Sequence, residues 1–108
     1  MNKKVLSYLG LCKKAGLLVS GESGCENSLR AKTAKLVITA CDASDNTKKK
    51  FCNKCFFYQT PYYSLFTKEE LSGAIGEYNR STVAVTDEKL ANTIIACLPT
   101  EEQNCNGV

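Results

Sequence analysis

Side chains able to do chemistry are few in this sequence of 108 residues. The chain has no histidine, the residue that most often serves as general base or metal ligand. Cys52 and Cys55 have the Cys-x-x-Cys spacing of redox motifs and of half a zinc site, but no second such pair completes one. Both fall on an apolar helical stripe with Phe51 and Phe56. We therefore expect two core cysteines, no metal site and no cofactor.

Three other sequence features could have either a functional or a purely structural role. Asp42 follows an apolar run, where it is either a catalytic acid or a helix cap. The lysines at 48–50 form either a phosphate-binding patch or a solvated helix face. The segment Gly-Glu-Ser-Gly at 21–24 lacks the Gly-Lys-Ser/Thr end of a P-loop. It is typical of a helix start, which presents unpaired backbone N–H groups and a partial positive charge. We expect this start to be uncrowded and electropositive.

Charge and composition favour a polyanionic partner. Residues 1–54 carry a net charge of +7 and residues 55–108 one of −4, which indicates one basic face. Seven cysteines are an odd number without a regular spacing, so a disulfide framework is not expected. No apolar run reaches the roughly 20 residues of a membrane span, and we expect a cytoplasmic protein with no membrane contact.

Helical and strand patterns alternate along the chain. Continuous apolar runs at 34–41 and 81–87 predict strands that are buried on both faces. Two matches to the capping-box spacing, Ser23 with Glu26 and Thr67 with Glu70, predict helix starts near Gly24 and after Thr67. The predicted elements are helices over 3–15, 24–32, 45–58, a short one from 68 to between 73 and 76, and 88–98, and strands over 17–20, 34–41, 62–66 and 81–87. The pattern predicts an α/β domain over 1–98 and a polar, disordered tail over 99–108.

Several stretches resemble one known family. "GLCKKAGLLVSGES", "AKLVITACDASDNTKKKF", "TKEELSGAIG" and "VAVTDEKLA" are similar to the ribosomal protein L7Ae family of kink-turn RNA binders, in its bacterial YlxQ-type branch. The resemblance covers about residues 3–97. It implies a three-layer α/β/α sandwich with a small mixed four-stranded sheet, no enzymatic activity, and RNA as the partner.

The resemblance also implies an RNA site. In the family, the turn before the second helix and the first turn of that helix carry Gly-x-Asn-Glu-x-x-Lys, whose glutamate and lysine read guanine edges in sheared G·A pairs. This chain keeps the glycine as Gly21 and places Ser23, Gly24 and Asn27 at the other three positions. A second family contact, the loop before the last strand, corresponds to residues 76–81 and contains Arg80.

These observations predict a non-enzymatic, ribosome-associated protein that is monomeric and binds structured, kink-turn-like RNA. Of the family's motif this chain retains only the glycine and lacks the base-reading residues. An alternative is therefore open, in which the same sandwich is a protein-interaction module. The expected RNA-binding residues are Gly21, Glu22, Ser23, Gly24, Asn27, Arg30, Lys32, Lys35, Arg80 and Ser81.

Overall fold

Two strands without any exposed residue form the centre of the sheet. In the computed structural model, which describes residues 3–98, β2 (Leu36–Thr39) pairs antiparallel with β4 (Thr82–Val85). Every residue of both strands is fully buried. β1 (Leu18–Ser20) pairs antiparallel with β4, and β3 (Tyr62–Ser64) pairs parallel with β2, which gives the order β1-β4-β2-β3. The prediction that the two continuous apolar runs are buried strands is therefore confirmed.

Helices cover both faces of the sheet. Successive strand residues point to opposite faces, so Val37 and Ala84 enter one core and Ile38 and Val83 the other. The first core is closed by α2 (Glu22–Arg30) and α3 (Asp45–Tyr58). The second is closed by α1 (Lys3–Lys14), α4 (Lys68–Ile75) and α5 (Glu88–Ala96). The molecule is a three-layer α/β/α sandwich with a mixed four-stranded sheet, as the resemblance implied.

Local capping signals explain two helix starts. The hydroxyl of Thr67 accepts from the N–H of Glu70 at 3.1 Å, and the Glu70 carboxylate accepts from the N–H of Thr67 at 2.9 Å. This confirms the predicted capping box of α4. Ser44 caps α3 by accepting from the Thr47 N–H at 3.1 Å. Asp42 accepts from the N–H of Lys68, at the start of α4, at 2.9 Å. Asp42 therefore binds a helix start, the alternative to catalysis, but the helix is α4 and not the third helix, which Ser44 caps.

The predicted start of the second helix is wrong by two residues. α2 begins at Glu22 instead of Gly24, and Ser23 and Glu26 form no capping box. α2 follows directly on Gly21, whose N–H is bound by the Thr82 carbonyl, so Ser23 lies inside the helix and cannot cap it; the Glu26 carboxylate pairs with Lys50 of α3. The start of α2 thus depends on tertiary contacts more than on its local sequence.

The remaining elements lie where they were expected, with helices and strands up to two residues shorter at an end. The polar tail predicted over 99–108 lies outside the described residues. None of the helices within residues 3–98 combines the length and the apolar character that crossing a membrane requires.

A close approach of α1 and α4 yields a stability prediction. A methyl group on Gly10 would lie 2.8 Å from the backbone carbonyl oxygen of Ala74. We expect Gly10→Ala to lower the free energy of unfolding by about 1–3 kcal/mol, because the overpacking outweighs the better helix propensity of alanine. Urea unfolding measures this change.

Gly73 of α4 provides the matched control. A methyl group there meets no atom within 4 Å, so Gly73→Ala should raise the free energy of unfolding by up to about 1 kcal/mol through helix propensity alone. Stabilisation by both substitutions would contradict the close packing of α1 on α4.

Candidate functional site

The strand directions sort the loops into two ends of the sheet. β1, β2 and β3 run one way and β4 runs the other way. One end, here called the Gly21 end, therefore gathers the residues that follow β1, β2 and β3 and those that precede β4. The opposite end, the Lys35 end, gathers the residues that precede β2 and follow β4. Gly21 and Arg80, far apart in sequence, share the first end.

Gly21 is fixed by backbone hydrogen bonds on both sides. Its N–H donates to the carbonyl of Thr82 at 2.9 Å, and its carbonyl accepts from the N–H of Cys25 at 3.1 Å, which opens α2. Its φ of 87° and ψ of 155° lie in a region that essentially only glycine adopts. A methyl group on Gly21 would lie 3.1 Å from Nη1 of Arg80. The first predicted contact loop and the second therefore touch at this glycine.

Arg80 is presented by a loop that is anchored on α4. The Arg80 N–H donates to Oγ of Ser72 at 2.7 Å, and the same hydroxyl donates to the Arg80 carbonyl at 3.2 Å. The Arg80 side chain donates from Nε to Glu77 at 3.4 Å. Ser81, next in the chain, accepts from the N–H of Ala40 through its carbonyl at 2.7 Å. Sequence reasoning missed Ser72, since nothing local marks a helical serine as a loop anchor.

The solvent-facing side of α2 is polar and open. Ser23, Asn27 and Arg30 are exposed and recur at the spacing of one helix face. Oδ1 of Asn27 accepts from Nη1 of Arg30 at 2.9 Å, so these two side chains form one polar unit. At Gly24 a methyl group would meet only Cβ of Val19, at 3.8 Å. No side chain caps the first turn of α2, which leaves its N–H groups available to a ligand.

Charges around this helix start are balanced, which corrects the expectation of an electropositive start. Three carboxylates lie nearby, and every one is ion-paired within residues 3–98. The pairs are Glu22 with Lys50, Glu26 with Lys50, Glu77 with Lys13 and Glu77 with Arg80. Three cations thus face three carboxylates. Positive character at this place comes from the backbone N–H groups in the first turn of α2, since Arg30 lies at the other end of that helix.

Lys50 joins the start of α2 to α3. Its ammonium group donates to Glu22 at 2.8 Å and also pairs with Glu26. This hydrogen bond, together with one from the Thr47 hydroxyl at 2.9 Å, holds the pKa of Glu22 below its usual value. The two glutamates raise the pKa of Lys50 in turn. The sequence did not distinguish Lys50 from Lys48 and Lys49, because neighbouring residues point to different sides of a helix. Only the packed structure shows which of the three lysines faces α2.

Lys32 and Lys35 do not lie beside Gly21, although the sequence analysis grouped them with it. Nine residues of α2 separate them from the helix start, about 13 Å at 1.5 Å per residue. Lys32 adopts a left-handed φ of 63° just after α2 ends, and the Lys35 N–H donates to the carbonyl of Val85 at 2.7 Å. Both line a cavity of about 370 Å³ at the Lys35 end, together with Tyr58 and Asn92.

The Cys-x-x-Cys pair belongs to the core. Cys52 is 5% exposed and Cys55 is fully buried, and both pack in the cluster between the sheet and α3. Their predicted role as core residues is confirmed. Cys25 of α2 lies in the same cluster, and burial raises the pKa of its thiol to about 12, far from the range of an activated nucleophile.

The fold and the site define a small α/β/α sandwich whose open helix start meets an arginine-bearing loop. The chain belongs to the Ribosomal protein L7Ae/L30e/S12e/Gadd45 family, whose family model matches residues 3–95. It is 42% identical over 90 residues to the RNA-binding protein YlxQ of Bacillus subtilis strain 168, covering 83% of this chain and 90% of that protein. The RNA-binding protein YlxQ of Enterococcus faecium is 36% identical over 89 residues, which cover 82% of this chain and 85% of that protein.

Solved structures show the same fold. A protein of unknown function from Bacillus halodurans C superposes with a TM-score of 0.82 at 34% identity, over 87% of this chain and 95% of that one. The 15.5kD RNA binding protein of Giardia lamblia has a TM-score of 0.75 at 18% identity, over 90% and 87% of the two chains. At that identity, the second likeness supports the fold alone.

The backbone of Gly21 yields a second prediction. We expect Gly21→Ala to lower the free energy of unfolding by about 1–3 kcal/mol, since alanine is strained at this φ and ψ and its methyl group crowds Arg80. Gly24→Ala is the control, because it adds the same methyl group inside α2 with only an ordinary contact to Val19. Chemical unfolding of both variants compares them. An equal response at the two glycines would show that the conformation described for Gly21 is wrong.

Proposed function

We propose that this chain is a non-enzymatic RNA-binding protein that recognises structured, kink-turn-like RNA at the Gly21 end. The observation that supports the proposal best is the contact between Gly21 and Arg80 at an uncapped helix start. Membership of the family, and relatives that are named RNA-binding proteins, support RNA as the partner. We further propose that the RNA is ribosomal or ribosome-associated and that the protein binds it as a monomer.

Each part of the proposed site has a distinct task. Gly21 lets an RNA backbone approach closely, because it carries no side chain of its own and the Arg80 guanidinium beside it can contact the same ligand. The free N–H groups in the first turn of α2 suit phosphate oxygens. Arg80 reaches a phosphate or a base edge from the adjacent loop, and Asn27 with Arg30 extends the contact along α2.

The proposed specificity differs from that of a typical family member. Gly24 and Asn27 stand where the resemblance places a glutamate and a lysine that read guanine edges. A bidentate base contact contributes about 1–3 kcal/mol of discrimination, so their absence weakens base reading. We therefore propose that the shape of the RNA, read by the backbone of Gly21 and by Arg80, contributes more to recognition than base identity does.

The chemistry of the described side chains supports a binding role over catalysis. Thiol pKa values are raised at Cys12 and Cys25 by burial, which makes both poorer nucleophiles. The carboxylates of Glu22 and Glu77 have lowered pKa values because each is paired with a lysine, so neither is poised as a general acid near neutral pH.

Affinity for a kink-turn hairpin tests the proposal. The control RNA is a hairpin of the same length whose sheared G·A pairs are replaced by Watson–Crick pairs. Fluorescence anisotropy over several salt concentrations should show tighter binding to the kinked RNA. Arg80→Gln should weaken binding and reduce the slope of log affinity against log salt by about 1, as expected for one lost phosphate contact.

Lys35→Gln is the matched control for Arg80→Gln, because it removes one positive charge at the opposite end of the sheet. It should leave both affinity and salt slope nearly unchanged. Equal binding to the two hairpins by the unmodified protein rules out shape recognition. Absence of RNA binding, with a protein partner retained after ribonuclease treatment, favours the alternative of a protein-interaction module.

A gain-of-function substitution examines the base-reading position. Asn27 is exposed on α2, and Asn27→Lys restores the residue type that the resemblance places there. We expect affinity for the kink-turn to rise more than affinity for a plain duplex, because a lysine at a base edge adds specific contacts as well as charge. Anisotropy titrations with both RNAs measure the ratio. An equal gain on both would mean that position 27 contributes only charge.

A further inference from the structure

Two adjacent phenylalanines are exposed at the end of α3. The side chains of Phe56 and Phe57 are each 76% exposed. The ring of Phe57 meets that of Tyr58 edge to face, with centroids 4.9 Å apart, so three aromatic residues follow one another at the end of α3. Neighbouring exposed aromatic rings of this size are unusual on a protein that has no partner for them. This patch therefore needs an occupant.

The same side of α3 carries positive charge. Lys49, Asn53, Phe56 and Phe57 are all exposed and recur at three- and four-residue spacing, and together they are called the α3 outer face here. α3 contains four lysines and a single acidic residue, Asp45. Lys50 is engaged by Glu22 and Glu26, whereas Lys49 and Lys54 make no ion pair with any residue between 3 and 98. The aromatic rings thus lie in a basic surrounding.

Charge argues against the two protein occupants of this face. Lysines are depleted at protein–protein interfaces, while here they flank the rings. A second copy of the chain would bring the same lysines together across a two-fold axis, where like charges repel. Unpaired nucleotides fit both features, because bases stack on aromatic rings and lysines attract the phosphates.

We infer that the α3 outer face binds unpaired RNA nucleotides by stacking bases on Phe56 and Phe57. The inference rests on the proposed function, since the unpaired nucleotides would flank the structured RNA held at the Gly21 end. α3 begins at that end, where Thr47 and Lys50 contact Glu22. From its first residue, Asp45, the helix rises about 17–18 Å to the phenylalanines, as 11 to 12 residues at 1.5 Å each. Lys49 lies on the exposed path between the two places.

Two probes separate stacking from charge. One is a short fluorescent oligoadenylate, and the other is an abasic oligonucleotide of the same length and the same number of phosphates. The unmodified protein should bind oligoadenylate at least about fivefold more tightly at low salt, the lower range of stacking on one aromatic ring. Phe56→Ala/Phe57→Ala should abolish this difference while retaining the weak, salt-sensitive binding of the abasic probe.

Two further variants separate stacking from a general loss of structure. Leu11→Ala, which removes a 55% exposed side chain from α1 on the other layer, should keep the preference for oligoadenylate. Phe57→Trp in an otherwise unmodified chain should also keep it. Because the sequence has no other tryptophan, fluorescence quenching by oligoadenylate and not by the abasic probe reports stacking at that residue.

The remaining outcomes overturn the inference. Equal affinity for both probes, no binding of either, or a base preference that survives Phe56→Ala/Phe57→Ala each exclude stacking on this face. A dimer in sedimentation that the double substitution dissociates, without base-dependent binding, would show that a second copy is the occupant. A kink-turn hairpin made with a blunt end, and so without an unpaired flank, should bind the double variant normally. A failure of kink-turn recognition would leave the oligoadenylate result unaffected, so the two proposals fail separately.

Discussion

The insertion of β4 between β1 and β2, in the opposite direction to both, is the constraint on which the candidate site depends. Because β4 is antiparallel to its two neighbours, the loop that precedes it emerges where β1 and β2 end. Two backbone hydrogen bonds from this junction fix the turns on either side, Gly21 to Thr82 and Ala40 to Ser81. With β4 parallel to its neighbours, Arg80 would lie at the Lys35 end, far from the start of α2. The direction of β4, a property of the backbone, therefore determines where the candidate site lies.

Signals that are satisfied locally were readable from the sequence. The apolar runs at 34–41 and 81–87 predicted the two central strands, because a strand buried on both faces shows no alternation of polar and apolar residues. Thr67 and Glu70 predicted a helix start correctly, since both partners of that capping box lie within one turn. Ser23 and Glu26 have the same spacing, yet they form no box. The difference is that the Gly21 turn, fixed by the Thr82 carbonyl, starts α2 two residues earlier and places Ser23 inside the helix, while Glu26 pairs with Lys50 of α3. No local pattern reveals these contacts.

Only some residues of the candidate site could be predicted, because sequence does not show which residues a helix moves apart. Gly21 and Arg80 entered through the family resemblance, and the structure brings them into contact. Lys32 and Lys35 were grouped with Gly21 because they follow it closely in sequence. A helix, however, converts nine intervening residues into a rigid separation of about 13 Å, which carries both lysines to the opposite end. Proximity in sequence is a poor guide to proximity in space once a complete helix intervenes.

An open helix start and positive charge were expected at the same place, but the ion pairs separate them. Lys50 is the only cation of α3 that contacts carboxylates within residues 3–98, and its charge is neutralised by Glu22 and Glu26. The start of α2 is consequently open but nearly neutral, while Lys49 and Lys54 remain available on α3. A polyanion would thus meet shape complementarity at Gly21 and electrostatic attraction along α3. Because α2 and α3 pack on one core and Lys50 also joins them, the surface proposed to fit the RNA and the surface proposed to attract it belong to one packed layer.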